Sequence, residues 1–377
     1  MNRDDVKQVI REVMLGVVPV ELGVRSYDVS IGDFTADAIA DRIAAALDPD
    51  TTGVAVPVDA NVAEKSARAR ELVAALAERV PRVARLDLRA GEACKNLTEI
   101  EKSCEWMAAH EYDRRAAVIG VGGGAATDHA GFVAAIYLRG VSFALVPTTL
   151  LAMVDASVGG KTGVDLAAGK NLVGAFHQPR AVVADIGFLE TLPARERIAG
   201  LAEVVKCGFI ADAGLLDLLE QSGPELTVAQ HEEIITRAVR VKADVVSSDE
   251  HESGRRAILN FGHTVGHALE AASGYGLLHG EAVALGMVAA LDLGVVLGVG
   301  APALADRARS LLARLGLPVD YERRFDAQAQ AGIAVDKKRR GSTIRFVLVP
   351  APGETRFLEI SPADIASHLS GRSPPKA

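Results

Sequence analysis

From about Val18 to Leu192 the apolar positions alternate between short β-branched runs and stretches of helical period. The runs Gly53–Val58, Val83–Leu88, Ala116–Val121, Phe143–Val146 and Ala181–Asp185 predict strands of a parallel or mixed sheet, with crossover helices between them. After Thr191-Leu192-Pro193 the period lengthens. Ala194–Ile210, Asp212–Gln221, Val228–Ser248, Glu252–Ala272, Gly280–Val299 and Pro302–Leu315 predict a helical second half, with a late strand at Ile344–Val349. At 377 residues the chain exceeds what one hydrophobic core usually serves. The expected layout is an N-terminal extension over 1–18, an α/β domain over 19–192, a helical domain over 193–369 and a disordered Pro-Pro tail over 370–377. The fold class is therefore α/β plus α.

Composition narrows the picture. Hydrophobic residues make up 49% of the chain and aromatic residues 4%, so the core is aliphatic, as in helix-rich α/β enzymes. The net charge of −8 comes without any basic block, which excludes the electrostatic footprint of a nucleic-acid binder. Cys94, Cys104 and Cys207 are odd in number and lack C-x-x-C spacing, which points to a reducing compartment and a cytoplasmic protein. The first 18 residues read as a short amphipathic helix bearing Asp4, Asp5 and Glu12, unlike a signal peptide. Ala282–Val299 approaches membrane-span length, but its Gly and Ala content and Asp292 fit a buried core helix, and no membrane role is expected.

The densest chemistry is a polar stripe. Arg256, Asn260, His263, His267 and Glu270 are spaced 4, 3, 4 and 3 apart, which places them on one face if Glu252–Ala272 is a single helix. Ile258, Val265 and Leu269 fall on the other face, and Gly262 and Gly266 would let another element approach closely. His279-Gly280-Glu281 follows, and Glu203 and Lys206 lie one helical turn apart upstream. A lone His-x-x-x-His pair is usually packing. Two or three imidazoles with a carboxylate, beside Arg and Asn, instead make a plausible divalent metal site.

The first half offers two glycine turns. Strand Ala116–Val121 runs into Gly122-Gly123-Gly124-Ala125-Ala126-Thr127-Asp128 and a helical stretch ending near Arg139, a geometry in which backbone N–H groups can meet a pyrophosphate. The acid usually found about 20 residues downstream in a dinucleotide fingerprint is replaced by Val141–Thr149. An upstream acid, at Asp59-Ala60-Asn61, could serve the ribose instead. The second turn, Asp155 through Thr162, ends in Gly159-Gly160-Lys161-Thr162 but lacks the upstream glycine of a P-loop, which disfavours ATP hydrolysis. Lys161 and Lys170 beside it suit a phosphate or carboxylate.

Taken together, Gly122-Gly-Gly124, Val146-Pro-Thr-Thr149, Asp155 through Lys161, Gly169-Lys-Asn171, Gly200 through Lys206, Asn260-Phe-Gly-His263 through His267 and His279-Gly-Glu281 closely resemble the 3-dehydroquinate synthase family of sugar phosphate cyclases. The resemblance runs from Leu22 through Asp336-Lys337-Lys338. It implies a Rossmann-like NAD-binding α/β domain, a helical metal-binding domain, an active site in the cleft between them and a homodimer. It also implies the conversion of 3-deoxy-D-arabino-heptulosonate 7-phosphate to 3-dehydroquinate and phosphate, in the shikimate pathway. The chemistry would be NAD-mediated transient oxidation, β-elimination of phosphate, re-reduction, ring opening and aldol closure.

By motif position Glu203, His263 and His279 resemble ligands of Zn²⁺ or Co²⁺. Asp59, Asn61, Glu92, Lys95, Gly123, Gly124, Asp128, Thr148, Thr149, Lys161, Lys170, Thr191, Leu192 and Glu196 resemble cofactor contacts. Asp155, Lys161, Asn171, Lys206, Lys242, Arg256, Asn260, His267 and Lys338 resemble the pocket for a small anionic sugar phosphate, with Arg139 reaching the phosphate across a dimer interface. Two departures stand out. Thr127 replaces a glycine before Asp128, a change expected to bear on cofactor affinity or pose, and Cys207 replaces an aromatic residue after Lys206.

Rival readings are cyclases making 2-epi-5-epi-valiolone, 2-deoxy-scyllo-inosose or amino-dehydroquinate, a metal-dependent polyol dehydrogenase, and a non-catalytic binding domain. Arg256, Asn260 and Lys338 as a carboxylate-binding set favour dehydroquinate synthesis, and the retained Glu203, His263 and His279 argue against a non-catalytic domain.

Overall fold

The computed structural model describes residues 16–334, 339–340 and 342–370. Lys338, the stretch ahead of Gly16 and residues 371–377 lie outside them. The chain divides into two compact units, Met1–Pro193 with Val228–His251, and Ala194–Thr227 with Glu252–Ala377. The helix Val228–Ser248, expected in the second half, therefore belongs to the first unit, where it packs against the first two strands of the sheet.

The first unit is built on a seven-stranded sheet. Its strands are β1 (Val17–Val20), β2 (Tyr27–Gly32), β3 (Gly53–Asp59), β4 (Val83–Leu88), β5 (Ala116–Gly122), β6 (Ser142–Pro147) and, after a hairpin of β7 (Lys161–Leu166) and β8 (Gly169–Phe176), β9 (Ala181–Asp185). Their order is β1-β2-β9-β6-β5-β3-β4, and only β1 runs antiparallel to its neighbour. Val17 and Val18, read as the end of an amphipathic helix, are instead the start of β1. Central strands β3, β5 and β9 are buried at every position, which is why they appear in sequence as unbroken apolar runs. Helices Ala36–Ala46, Ala67–Ala77, Leu97–Ala109 and Gly124–Ile136 cover the sheet.

The order carries a functional consequence. From β3 the chain moves outward to β4, then returns to the other side of β3 to lay down β5 and β6. The connections thus diverge between β3 and β5, and the carboxyl ends of those strands flank the crevice where α/β sheets bind ligands.

The second unit is mainly helical, with a small antiparallel sheet of Arg339–Arg340, Thr343–Leu348 and Arg356–Ile360. Its centre is the helix His279–Val296, long and apolar enough by composition to cross a membrane, but with 78% of that stretch buried within the protein. This helix packs almost backbone to backbone on its neighbours. A Cβ at Gly280 would lie 1.8 Å from the Ala199 carbonyl oxygen, and one at Gly266 would lie 2.8 Å from that of Ala282. The glycines read from sequence as close-approach positions therefore admit this helix.

The single helix expected over Glu252–Ala272 is broken. Arg255–Asn260 forms a 3₁₀ helix, Phe261 turns extended, and an α-helix starts at His263. Gly262 causes the break, since its φ of +79° is left-handed and a Cβ there would lie 2.9 Å from the Met287 nitrogen. Arg256 and Asn260 consequently do not continue the face that carries His263, His267 and Glu270.

Candidate functional site

In the first unit the expected cofactor residues gather at the carboxyl edge of the sheet. Asp59 ends β3, Glu92 and Lys95 follow β4, Gly123 and Gly124 follow β5, Thr148 and Thr149 follow β6, and Thr191 and Leu192 follow β9. Register brings them level, pairing Val58 with Val121 and Gly122 with Pro147. Gly122 has no room for a side chain, because a Cβ would sit 2.5 Å from that of Ala126 and 3.0 Å from that of Asp59. The helix Gly124–Ile136 begins here with Gly123 as its N-cap and without a side-chain cap, so its first N–H groups are not taken by a capping side chain. An anion approaching that end would meet both those donors and the helix dipole.

Asp59 accepts hydrogen bonds from the backbone N–H groups of Asn61 and Gly91, both at 2.9 Å. It thereby holds two loops of the crevice in place. Lys95 and Asp128 form a buried ion pair at 2.6 Å. Burial raises the carboxyl of Asp128 and the Lys95 charge restrains that shift, while burial of Lys95 is outweighed by Asp128 and Glu92, which keep it protonated. Lys170 lies 3.8 Å from Glu92. Thr127 is buried and its hydroxyl donates to the Gly124 carbonyl at 2.9 Å, so the polar atom of this departure is satisfied within its own helix.

Other expected residues of this unit fall in two places. Asp155 sits in a π-helical turn, Ala152–Ala156, and Lys242 donates to its carboxylate and to its backbone carbonyl, each at 2.5 Å. Lys161 and Asn171 belong to the β7–β8 hairpin, where the sequence pattern predicts only a glycine turn. Asn171 adopts φ +55° and its N–H is held by Asp165 at 2.8 Å. Arg139 is exposed at φ +70°, directly after Leu138 at φ +48°.

The second unit assembles the expected metal ligands. Glu203 comes from the helix Ala194–Ile210, His263 from the first turn of His263–Ala272 and His279 from the start of His279–Val296. Glu203 Oε1 lies 3.5 Å from His263 Nε2 and 3.6 Å from His279 Nε2. Ligands bound about 2.0–2.1 Å from a tetrahedral Zn²⁺ lie about 3.3 Å apart, so the Glu203 oxygen stands close to that spacing from each imidazole. Both imidazoles have the second partner that metal-ligating histidines require. His263 Nδ1 lies 3.1 Å from the Phe261 carbonyl oxygen, and His279 Nδ1 lies 3.5 Å from Glu270 Oε2. Their Nε2 atoms are thus left facing Glu203. Glu270, on the stripe but not among the expected site residues, is the carboxylate that orients His279. Its signal in the sequence was its position one turn beyond His267.

Lys206 contacts the other oxygen of Glu203. His267 packs beside both ligand histidines, with ring centroids 5.3 Å from His263 and 5.8 Å from His279. Glu281 serves the helix end. It accepts from the Leu278 N–H at 2.9 Å and pairs with Arg195 at 2.7 Å, fixing the helix end that presents His279. Glu196 has its carboxyl raised by burial. Arg256 is 2% exposed, and Asn260 donates its amide to Glu252 at 2.8 Å. Glu203, His263 and His279 form one set whose ligand atoms lie within 4.8 Å of one another. A second such set, His267, Glu270 and His279, shares His279 with it.

This architecture is that of the sugar phosphate cyclases. A crystal structure of 2-deoxy-scyllo-inosose synthase, complexed with carbaglucose-6-phosphate, NAD⁺ and Co²⁺, matches with a TM-score of 0.83 at 25% identity, covering 94% of this chain and 99% of that one. The 2-epi-5-epi-valiolone synthase of Streptomyces hygroscopicus subsp. jinggangensis, with NAD⁺ and Zn²⁺ bound, matches with a TM-score of 0.81 at 30% identity over 93% and 96% of the two chains.

Within that class, family models described as 3-dehydroquinate synthase N-terminal and C-terminal match residues 85–199 and 200–339. The 3-dehydroquinate synthase of Rhodospirillum rubrum is 47% identical over 94% of this chain and 93% of its own. The chain belongs to the 3-dehydroquinate synthase family.

Proposed function

We propose that the chain converts 3-deoxy-D-arabino-heptulosonate 7-phosphate to 3-dehydroquinate and phosphate, using NAD⁺ and a divalent ion, Zn²⁺ or Co²⁺. The observation that carries this reading is the Glu203, His263 and His279 set, with Nε2 atoms 3.5 and 3.6 Å from one carboxylate oxygen, in a family member. When bound, NAD⁺ would accept a hydride from a substrate secondary alcohol and later return it, while the metal polarises that oxygen.

The protein's own groups supply the rest. In the first unit the uncapped helix end at Gly123 and Gly124 would receive the pyrophosphate, and Asp59, Asn61, Glu92, Lys95, Asp128, Thr148, Thr149, Lys161, Lys170, Thr191 and Leu192 would shape the dinucleotide site. Glu196, from the second unit, belongs to the same reading. Glu203, His263 and His279 would hold the ion, with Glu270 and the Phe261 carbonyl fixing the imidazoles. Lys206 would place an ammonium beside the ion's carboxylate ligand, and His267 a third imidazole, outside the ligand set, for proton transfer. Arg256, Asn260 and Lys338 would bind the substrate carboxylate, and Asp155, Lys161, Asn171 and Lys242 would line the remaining pocket. Their local positive charge offsets the net charge of −8.

We further read the protein as a cytoplasmic homodimer in which Arg139 reaches the partner's substrate phosphate. Consecutive positive φ angles at Leu138 and Arg139 support it, because backbone strain of this kind persists where function fixes it. Ile136 and Leu138, exposed by 43% and 39%, add apolar surface beside Arg139.

The test is phosphate release from 3-deoxy-D-arabino-heptulosonate 7-phosphate with catalytic NAD⁺ and Zn²⁺ or Co²⁺, against sedoheptulose 7-phosphate, with dehydroquinase coupled to identify the product. Release from the first alone, without net NADH, is expected. Release from the second alone would move the chain to valiolone-type cyclases, and NADH accumulation with a polyol would make it a dehydrogenase.

A further inference from the structure

His129 follows Asp128 on the helix Gly124–Ile136 and is fully buried in the first unit. Its Nδ1 lies 2.8 Å from the Cys94 carbonyl oxygen and its Nε2 lies 2.8 Å from the Ser103 hydroxyl. The Cys94 carbonyl can only accept, so Nδ1 carries the proton. Burial lowers the imidazole's proton affinity, and Nε2 shares the Ser103 hydroxyl with the Glu99 carbonyl, which lies 3.0 Å from it. The tautomer is thereby fixed. The imidazole and Ser103 also border a small cavity whose other walls, Ala55, Pro57, Leu86, Met107, Val118 and Val133, are apolar.

Cys94 closes the short turn Gly91–Cys94, next to Lys95. That turn carries Glu92 and Lys95 and is held at three points. Gly91 N–H donates to Asp59 at 2.9 Å, the Cys94 carbonyl accepts from His129, and the Lys95 carbonyl accepts from Asp165 N–H at 2.9 Å. The Cys94 side chain adds packing against Leu88 and Ala126. The helix Gly124–Ile136 thus grips the turn twice, through the Asp128–Lys95 ion pair and through His129 in the core behind it.

We propose that His129 is a positioning residue for the dinucleotide site, setting the Gly91–Lys95 turn through the Cys94 carbonyl so that Glu92 and Lys95 face NAD⁺. The proposal rests on the NAD⁺ reading above. Losing the bond strands a buried carbonyl, and a stranded buried acceptor costs enough to let the turn shift. The amide of an asparagine reaches about where Nδ1 stands and can donate to the same carbonyl, whereas a leucine fills the space without donating.

The experiment compares His129→Leu, His129→Asn and the natural chain, each as full-length protein, by calorimetric titration with NAD⁺, by hydrogen exchange of the Gly91–Lys95 amides without cofactor, and by Zn²⁺ titration. We expect His129→Leu to weaken NAD⁺ binding about tenfold and to speed exchange in the turn. His129→Asn should restore both to within about threefold, and Zn²⁺ affinity should be unchanged throughout. Unchanged NAD⁺ affinity in a folded His129→Leu protein would overturn the proposal, as would equal losses in both variants. A natural chain that binds no NAD⁺ while its turn is protected from exchange would instead overturn the cofactor reading and take the proposal's functional half with it.

Discussion

Replacing Gly280 with alanine should damage the metal site more than it damages the fold. The added Cβ would lie 1.8 Å from the Ala199 carbonyl oxygen, 2.5 Å from its carbon and 3.0 Å from its Cα, all backbone atoms that cannot swing aside. Ordinary contact needs about 3.5 Å, so the helices Ala194–Ile210 and His279–Val296 must part locally by more than about 1 Å. Glu203 lies one turn beyond Ala199 on the first helix, and His279 immediately precedes Gly280 on the second. Their present separation of 3.6 Å would open to about 5 Å, beyond what one ion with bonds of about 2 Å can bridge. Overpacking of this kind costs about 1–3 kcal/mol, which lowers the melting temperature by about 2–10 °C. Zn²⁺ affinity, measured by competition with a chromogenic chelator, should fall about 100-fold or more. Gly294→Ala, on the same helix, is the matched control, because a Cβ there would find its nearest atom, the Gly300 nitrogen, at 3.8 Å. It should leave Zn²⁺ binding intact and leave stability equal or slightly raised. A folded Gly280→Ala protein with natural Zn²⁺ affinity would refute the claim that this close helix contact sets the ligand spacing.

Two further outcomes follow from the same site. Glu270→Gln removes the charge that orients His279 while keeping its shape, so Zn²⁺ affinity should drop about tenfold by the same chelator competition; no loss would remove Glu270 from the site. Without metal, burial opposes the charge on His279, but the hydrogen bonds and charges of Glu203 and Glu270 outweigh it and raise its pKa from 6.5 to about 9. A raised folded-state value means that this stabilisation is complete below pH 6.5 and is lost as pH climbs through about 9. The melting temperature of the metal-free protein should therefore decline across that window, and less so in His279→Gln, while Zn²⁺ affinity rises across it because the ion displaces the proton. A flat melting profile in the natural chain would refute the ion pair.

Much of the first unit was legible because its central strands are buried on both faces. The buried Ala181–Asp185 and the more open edge strand Val83–Leu88 both have the bounds predicted, and the helices Ala194–Ile210 and Val228–Ser248 begin and end where their periods do. What escaped was whatever depends on a single dihedral angle or a distant contact. The polar stripe from Arg256 to Glu270 fits a period of 3.6 residues throughout, yet the left-handed Gly262 splits it, since periodicity does not register the sign of one φ. The β7–β8 hairpin is hidden in the sequence because Gly163, Gly169 and Gly174 dilute its alternation. Nothing along the chain marks Val228–Ser248 as part of the first unit, because its partners, β1, β2 and the turn Ala152–Ala156, all lie far earlier in the chain.

The fold alone does not choose the product. Synthases of 2-deoxy-scyllo-inosose and 2-epi-5-epi-valiolone share this backbone with TM-scores of 0.83 and 0.81, so selectivity among cyclases must reside in side chains. The break at Gly262 gives that a physical basis. Because the 3₁₀ helix Arg255–Asn260 is not continuous with His263–Ala272, Arg256 and Asn260 can change without moving the three ligands. The Arg256 guanidinium is buried to 2% exposure, and a buried cation requires a stabilising environment rather than bulk solvent. A substrate carboxylate can supply part of that environment, whereas a neutral hydroxyl at the same place supplies far less. On the proposed reading, Glu203, His263 and His279 would carry the chemistry common to the class, and Arg256 with Asn260 would carry the preference for an acid.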